Sequence, residues 1–378
     1  MKTEQTCWSR NKGWSRDKTS GALKDAQLVL LFGHPSCLKD KILFEEVRLS
    51  YPSAYIMGGS TAGEIFKAQL YDDSLVATAI HFENTTLKST HFKIEDRKDS
   101  LSIGEELVRT LAHEELCHIF VLADGLSLNG TELVKGMAKN LPANVGVTGG
   151  LTADGGNFEE TLVGDNQIPE SKQVVALGFY GTRLKVHYSA VSGFKPFGAE
   201  RKISRCENNI LYELDGKPAL ELYKKYLGNH LHHLQTQCFQ FPFHYQTTKM
   251  DKGIVRTILG IDEMTGSMTL AGDLEQGGTI RLMKTNVDSL VSGAEESARA
   301  CLKAGDSSPD LAILMSCVGR KIVMKQRVEE ELEAIEDVFG TLTTLSGFYS
   351  YGEIAPFKNS MSPNLHNQTM SITTFSEF

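Results

Sequence analysis

The chain has 378 residues, 41% of them hydrophobic and 23% charged, which is enough apolar mass for a large core and too much for a disordered scaffold. A formal net charge of −8 leaves no general basic surface for phosphates, so nucleic acid is set aside as a partner. The 7 cysteines are scattered with no C-x-x-C pair, which suits a reducing cytosol and argues against structural zinc or iron–sulfur sites.

At the N-terminus, Lys2, Arg10, Lys12, Arg16 and Lys18 are set among Ser, Thr and Gly. Residues 1–22 therefore read as a flexible tail, with no packed element before Leu23. This segment lacks the apolar run of a secretory signal, and no later stretch approaches the ~20 apolar residues of a membrane span, so a cytoplasmic protein without membrane contact is expected.

Apolar runs then alternate with amphipathic stretches. Strands are expected at 27–32, 54–57, 75–82, 116–123, 145–148 and 174–180, with helices at 38–49, 102–113 and 131–140. A second lobe opens after Asp215-Gly216-Lys217, where Pro218 suits the first turn of a helix reaching Leu227. Residues 230–246 read as a loop. Strands resume at 254–261, 279–283, 311–317, 342–348 and 369–375, with helices at 287–304 and 325–339. The alternation implies an α/β fold of two lobes, 23–216 and 217–378, each with a central sheet and flanking helices.

One internal match is informative. Gly58-Gly59-Ser60-Thr61-Ala62-Gly63-Glu64-Ile65 and Gly347-Phe348-Tyr349-Ser350-Tyr351-Gly352-Glu353-Ile354 both read G-x-x-x-x-G-E-I after an expected strand, a sign of duplication. A third echo, Gly149-Gly150-Leu151-Thr152-Ala153, repeats the G-G-x-T-A of the first.

Glycines after a strand bring backbone N–H groups close to a ligand, and Thr61 with Glu64 has capping-box spacing for a helix start, so Ser60, Thr61 and Glu64 are candidate ligand contacts. The competing reading is a tight turn without ligand. In the C-terminal quarter Arg320 offers a bidentate fork for a carboxylate, Tyr349 and Tyr351 offer aromatic walls, and Glu353 can fix an amine, with His366 and Asn367 close by in the chain. Together they suit an amino-acid-like or other small polar ligand, unless Glu353 and His366 simply anchor their own loops.

Cys317 and His366 are the best nucleophile and base on offer, yet Cys317 ends an apolar run and reads as a buried thiol. No complete triad can be named, and no turnover is expected. The cluster His230, His232, His233 and His244, with Cys238, has a composition suited to metal or haem, but no fourth ligand is placed and no metal site is assigned.

These motifs, with Gly193-Phe194-Lys195-Pro196-Phe197-Gly198, the Asp215–Tyr223 junction, Ser316-Cys317-Val318-Gly319-Arg320 and His366-Asn367-Gln368-Thr369, resemble the FIST family of sensory input modules. The resemblance implies an N-terminal and a C-terminal FIST domain that bind a small ligand, amino acids being a common suggestion. It also implies a stand-alone chain signalling through a partner such as a histidine kinase. Some stand-alone members are haem-binding nitric-oxide sensors, which makes haem b, held by His366, His230, His233 or His244, the alternative. A cysteine-dependent enzyme is a further one.

Overall fold

The Leu28–Gly33 strand is apolar at five of its six positions and wholly buried, as expected of a strand covered on both faces. Its side chains divide between two cores. Leu28, Leu30 and Phe32 face inward, while Val29 and Leu31 pack under the Lys41–Ser50 helix, whose N-terminus is capped by Asp40 accepting from the Ile42 and Leu43 amides. The chain returns as Tyr55–Ser60, parallel to Leu28–Gly33, and Ser74–His81 joins antiparallel on the other side. The computed structural model describes residues 1–15, 23–228, 238–250, 252–305, 307–357 and 361–378.

This unit occurs three times. In the second, Leu116–Ala123 runs parallel to Gly146–Leu151 and antiparallel to Gln173–Tyr180, under the Gly130–Lys139 helix. In the third, Leu311–Cys317 stands likewise to Thr344–Ser350 and Met370–Glu377, under the Val287–Gly305 and Glu330–Phe339 helices. The inward residues of all three, including Phe32, Phe120, Ile313 and Phe348, share one central core.

The units are laced together by exchanged strands. Thr86–Lys93 leaves the first unit to pair with Gln173–Tyr180 of the second, and Leu184–Val191 leaves the second to pair with Met370–Glu377 of the third. Lys2–Ser9 completes the cycle against Ser74–His81. A second exchange runs the opposite way: Glu64–Phe66 pairs with Thr344–Ser350, Val163–Asp165 with Tyr55–Ser60, and Gly352–Pro356 with Gly146–Leu151. Three equivalent hydrogen bonds close the centre, from the Ala62 amide to the Tyr349 carbonyl (2.8 Å), from Ala153 to Ser60 (2.9 Å) and from Tyr351 to Leu151 (3.1 Å). A separate nine-stranded sheet lies between Leu184–Val191 and the Val287–Gly305 helix in sequence, and it packs on the Ala219–Leu227 helix. Among the described residues, no helix is long and apolar enough to cross a membrane.

The α/β class and the repetition match the sequence reading, with the G-G-x-T-A echo at Gly149 marking a third unit. Several local expectations need correction. Residues 1–22 are not all tail: Lys2–Ser9 is an eight-residue strand, with Cys7 buried and Gln5 donating to the Leu345 carbonyl (2.9 Å). No helix starts at Thr61, because the next residues are drawn into the sheet of the third unit. The expected helix at 325–339 is divided, since Lys325 adopts φ +53° and a short 3₁₀ turn precedes Glu330–Phe339. Phe243–Gln246, expected as loop, is a strand of the nine-stranded sheet, while residues 229–237 lie outside the described residues. Asp215-Gly216, both at positive φ, turn the chain between Ile210–Leu214 and Lys217–Pro218 within that same sheet.

Candidate functional site

The two G-E-I segments fold alike. The Thr61 hydroxyl donates to Glu64, whose second oxygen accepts from the Ser74 amide (3.2 Å) and hydroxyl (2.6 Å). Ser350 donates to Glu353 (2.8 Å), whose second oxygen accepts from the Thr369 amide (3.2 Å) and hydroxyl (2.7 Å). Burial pushes both carboxyls up to about 7. Ser60 accepts the Leu162 amide through its hydroxyl (2.8 Å). The structure thus brings Ser60, Thr61, Glu64, Tyr349, Tyr351 and Glu353 to the junction of the three units, where their polar groups are taken up by protein partners.

The remaining expected contacts are also occupied. Arg320 is fully buried and ion-paired with Glu331 (2.6 Å), and it donates to the carbonyls of Ser192 (2.7 Å) and Leu290 (2.9 Å). With those bonds made it has no fork left for a ligand carboxylate, which corrects the reading of Arg320 as a ligand contact. Tyr349 donates to the same Glu331 (2.6 Å) and is likewise no cleft wall. Tyr351 stacks on Phe158 at 4.3 Å and donates to Asp154, which also accepts the Phe158, Glu159 and Glu160 amides. His366 Nε2 donates to the Ala355 carbonyl (2.9 Å), and burial lowers its pKa to about 4, leaving it neutral. Cys317 is buried and its thiol is pushed well above the usual range, so no thiolate is prepared there.

Of the histidines offered for haem, His366 gives its Nε2 proton to the Ala355 carbonyl and keeps a lone pair on Nδ1 alone, and the His244 ring lies against Gly253, where a Cβ would come within 2.2 Å of it. His230 and His233 lie outside the described residues, as does His232.

An open cleft of about 220 Å³ lies elsewhere, between the Gly130–Lys139 helix, the Pro363–His366 strand and the nine-stranded sheet. Val134, Tyr245, Ile254, Leu274 and Leu365 give it apolar walls. Arg256 lines it at only 2% exposure. Its Nη1 donates to the Leu365 carbonyl (2.9 Å) and reaches Asn367 Oδ1 at 3.5 Å, while Nε has no hydrogen-bond partner and lies over Gly272. Among the described residues no carboxylate pairs with Arg256, and burial lowers its pKa to about 10. Of the sequence candidates, none lines this cleft: the C-terminal segment borders it through Pro363, Asn364 and Leu365, and Asn367 reaches only the buried Arg256. Sequence reasoning missed Arg256 itself, although a lone charge inside Ile254-Val255-Arg256-Thr257-Ile258 was the available signal: a cation in an apolar strand is costly unless something uses it.

The chain belongs to the FIST family: its residues 27–217 match the FIST N domain and residues 219–356 the FIST C domain. FIST domains are, as a class, small-ligand sensory domains of signal transduction. An uncharacterised protein of Methanocaldococcus jannaschii is 26% identical over 223 residues, covering 55% of this chain and 41% of that protein, so the match spans less than half of the archaeal chain. An uncharacterised Mycobacterium tuberculosis protein is 23% identical over 269 residues, 68% of this chain and 67% of its own length. Among solved structures, a cyanuric acid hydrolase from A. caulinodans is similar with a TM-score of 0.39 and 8% identity, over 100% of this chain and 98% of that one. A second cyanuric acid hydrolase gives 0.35 and 7%, over 100% and 99%. Both neighbours are enzymes, and the sequence expectation that this chain has no turnover is withdrawn.

Proposed function

We propose that this FIST chain is a cytoplasmic small-ligand sensor that signals through a partner protein such as a histidine kinase, with its ligand in the cleft floored by Arg256. The observation that supports this is a buried guanidinium at the wall of the cleft that lacks an ion-pair partner among the described residues and leaves Nε without a hydrogen bond. Such a group is costly in a purely structural role and becomes favourable when a ligand completes it. The cleft walls come from the second unit, the third unit and the nine-stranded sheet, so an occupant touches three bodies at once and can alter the surface they offer a partner. Hydrogen exchange of the full chain, with and without small carboxylates, tests the reading. Protection at 130–139, 254–256 and 363–366 that disappears in Val134→Trp is the expected result. Protection confined to the Thr61–Glu64 and Ser350–Glu353 junction would move the site there and overturn it.

A further inference from the structure

A second pocket is assembled where the strands of the first unit end. The Leu28–Gly33 strand closes on Gly33, which lies so near the start of Ser74–His81 that a Cβ there would come within 2.8 Å of the Ser74 carbonyl. The His34 amide donates to that carbonyl (3.1 Å), and the Cys37 thiol reaches the Asp73 carbonyl (3.7 Å), so the short helix Pro35–Leu38 is held against the turn at Asp72-Asp73. Asp73 turns the chain at φ +52°, a left-handed conformation that Asp tolerates. Pairing of Ser9 with Ser74 carries the turn at 9–13, with Arg10 and Asn11, to the same edge. The result is an open pocket of about 490 Å³ at the C-terminal end of a parallel strand, the edge at which α/β sheets collect ligands.

Three side chains in this pocket stand in a chemically ordered row. His34 Nδ1 accepts the Ser36 amide (3.3 Å), and an amide can only donate, so Nδ1 carries the lone pair and Nε2 the proton. Ser36 Oγ lies 2.9 Å from Nδ1, while Nε2 faces Asp73 Oδ1 at 3.6 Å. A hydroxyl on the basic nitrogen and a carboxylate beside the protonated one is the arrangement that activates serine. Ser36 is exposed, so a substrate can reach it. Asp73 is also open to solvent and therefore orients the ring more than it strengthens the base. We infer that Ser36 is a nucleophile with His34 as its base and Asp73 as a positioning residue, and that the site hydrolyses short acyl esters of polar alcohols. Every lining residue is polar, which leaves no slot for a long acyl chain. Asp72 is taken by Lys321, and Arg10 has no carboxylate partner among the described residues, so its guanidinium is the cation available to a developing oxyanion. In the first step Ser36 Oγ bonds to the carbonyl carbon and Nδ1 takes its proton. The bond to the alcohol oxygen then breaks, and the alcohol leaves with that proton. Water repeats the sequence: its oxygen bonds to the acyl carbon, Nδ1 takes its proton, the bond to Oγ breaks, and Oγ recovers the proton as the acid departs.

Diisopropyl fluorophosphate, from which Ser36 Oγ displaces fluoride, and p-nitrophenyl esters test this on the full chain. Mass spectrometry is expected to place one phosphoryl group on Ser36, and Ser36→Ala is expected to lose both the label and p-nitrophenyl acetate hydrolysis. His34→Asn keeps an acceptor for the helix cap but removes the base, so labelling and hydrolysis are expected to fall about a hundredfold or more in a chain that still folds. Asp73→Asn keeps the left-handed turn and is expected to lower kcat about threefold with KM unchanged. Acetate is expected to be cleaved roughly tenfold faster than p-nitrophenyl octanoate. An unlabelled Ser36 in the wild-type chain would overturn the proposal, and so would equal labelling in His34→Asn, which leaves the ring as a helix cap alone. Should His34→Asn unfold, labelling of the wild-type chain decides, because a serine without a base does not react with the reagent. An unchanged kcat in Asp73→Asn would remove Asp73 from the row, and octanoate cleaved as fast as acetate would overturn the assigned substrate class.

Discussion

Arg320 and Glu331 form an ion pair with both side chains at 0% exposure, 2.6 Å apart, and Glu331 also accepts from Ser316 (2.9 Å) and Tyr349 (2.6 Å). The network ties the first strand of the third unit to its helix, through the Leu290 carbonyl to the Val287–Gly305 helix, and through the Ser192 carbonyl to the segment that enters the nine-stranded sheet. Removing one partner leaves the other charge buried and unpaired, at a cost of about 3–5 kcal/mol. Arg320→Ala and Glu331→Ala are expected to lose stability by that order in urea unfolding, while Arg320→Ala with Glu331→Ala loses less than the sum of the two. Additive losses would show that the pair is not a unit.

Glu64 and Glu353 give the chain a pH dependence. Each carboxyl is raised from an ordinary 4.5 to about 7 by burial, so between those values the folded chain holds protons that the unfolded chain has released. Stability is therefore highest at the acid end of this window and falls as pH rises through it, by up to about 1.4 kcal/mol per pH unit for each carboxyl. Glu64→Gln and Glu353→Gln are each expected to flatten the slope between about pH 5 and pH 7. An unchanged slope in the double variant would show that neither group titrates there.

Much of this architecture was legible because it is local. Strands such as Leu116–Ala123 and Leu311–Cys317 are buried on both faces, so their sequences are continuous apolar runs. The G-E-I motif repeats because both copies turn the chain out of a parallel strand and tether the exchanged one. Where that strand goes was not legible. Glu64–Phe66 pairs with residues nearly three hundred positions on, and no local pattern names a partner at that distance, so Thr61 and Glu64 took on the look of a helix cap. The Lys2–Ser9 strand was missed for the same reason, since its partly exposed, mixed-polarity sequence gains its order from Ser74–His81. Arg320 and Arg256 show the limit most sharply. Both are arginines in apolar surroundings, and only the tertiary position of Glu331 marks the first as saturated and the second as unpaired.

Gly149 and Gly347 occupy the same place in the second and third units, both at φ +151°, and a Cβ at either would come within 1.9 Å of a carbonyl oxygen, of Val121 and of Leu314 respectively. Gly58, their counterpart in the first unit, has an ordinary φ, and its nearest carbonyl, that of Leu31, is 3.2 Å away. Gly149→Ala and Gly347→Ala are expected to cost about 3 kcal/mol or more, through strain and backbone collision together. Gly58→Ala is expected to cost clearly less. Equal losses at the three positions in denaturant unfolding would contradict the geometry.

Asn129 joins the second unit to the nine-stranded sheet, and its two roles can be separated. Its Oδ1 caps the Gly130–Lys139 helix by accepting the Thr131 (3.0 Å) and Glu132 (3.2 Å) amides, while its Nδ2 crosses the junction to Asp273. A second bond, from the Asp273 amide to the Thr131 hydroxyl (3.2 Å), reinforces the crossing. Asn129→Ala loses cap and crossing together, and the cap alone is worth about 0.5–2 kcal/mol. Asn129→Asp keeps a good cap and sets a second carboxylate against Asp273, so the like charges push the sheet from the helix. Hydrogen exchange is expected to rise in Asn129→Asp across 271–278 while 130–139 stays protected, whereas Asn129→Ala loosens both segments. Asp273→Asn added to Asn129→Asp removes the repulsion and is expected to restore protection at 271–278. If the double variant exchanges as fast as Asn129→Asp alone, charge at this junction is not what holds the sheet against the helix.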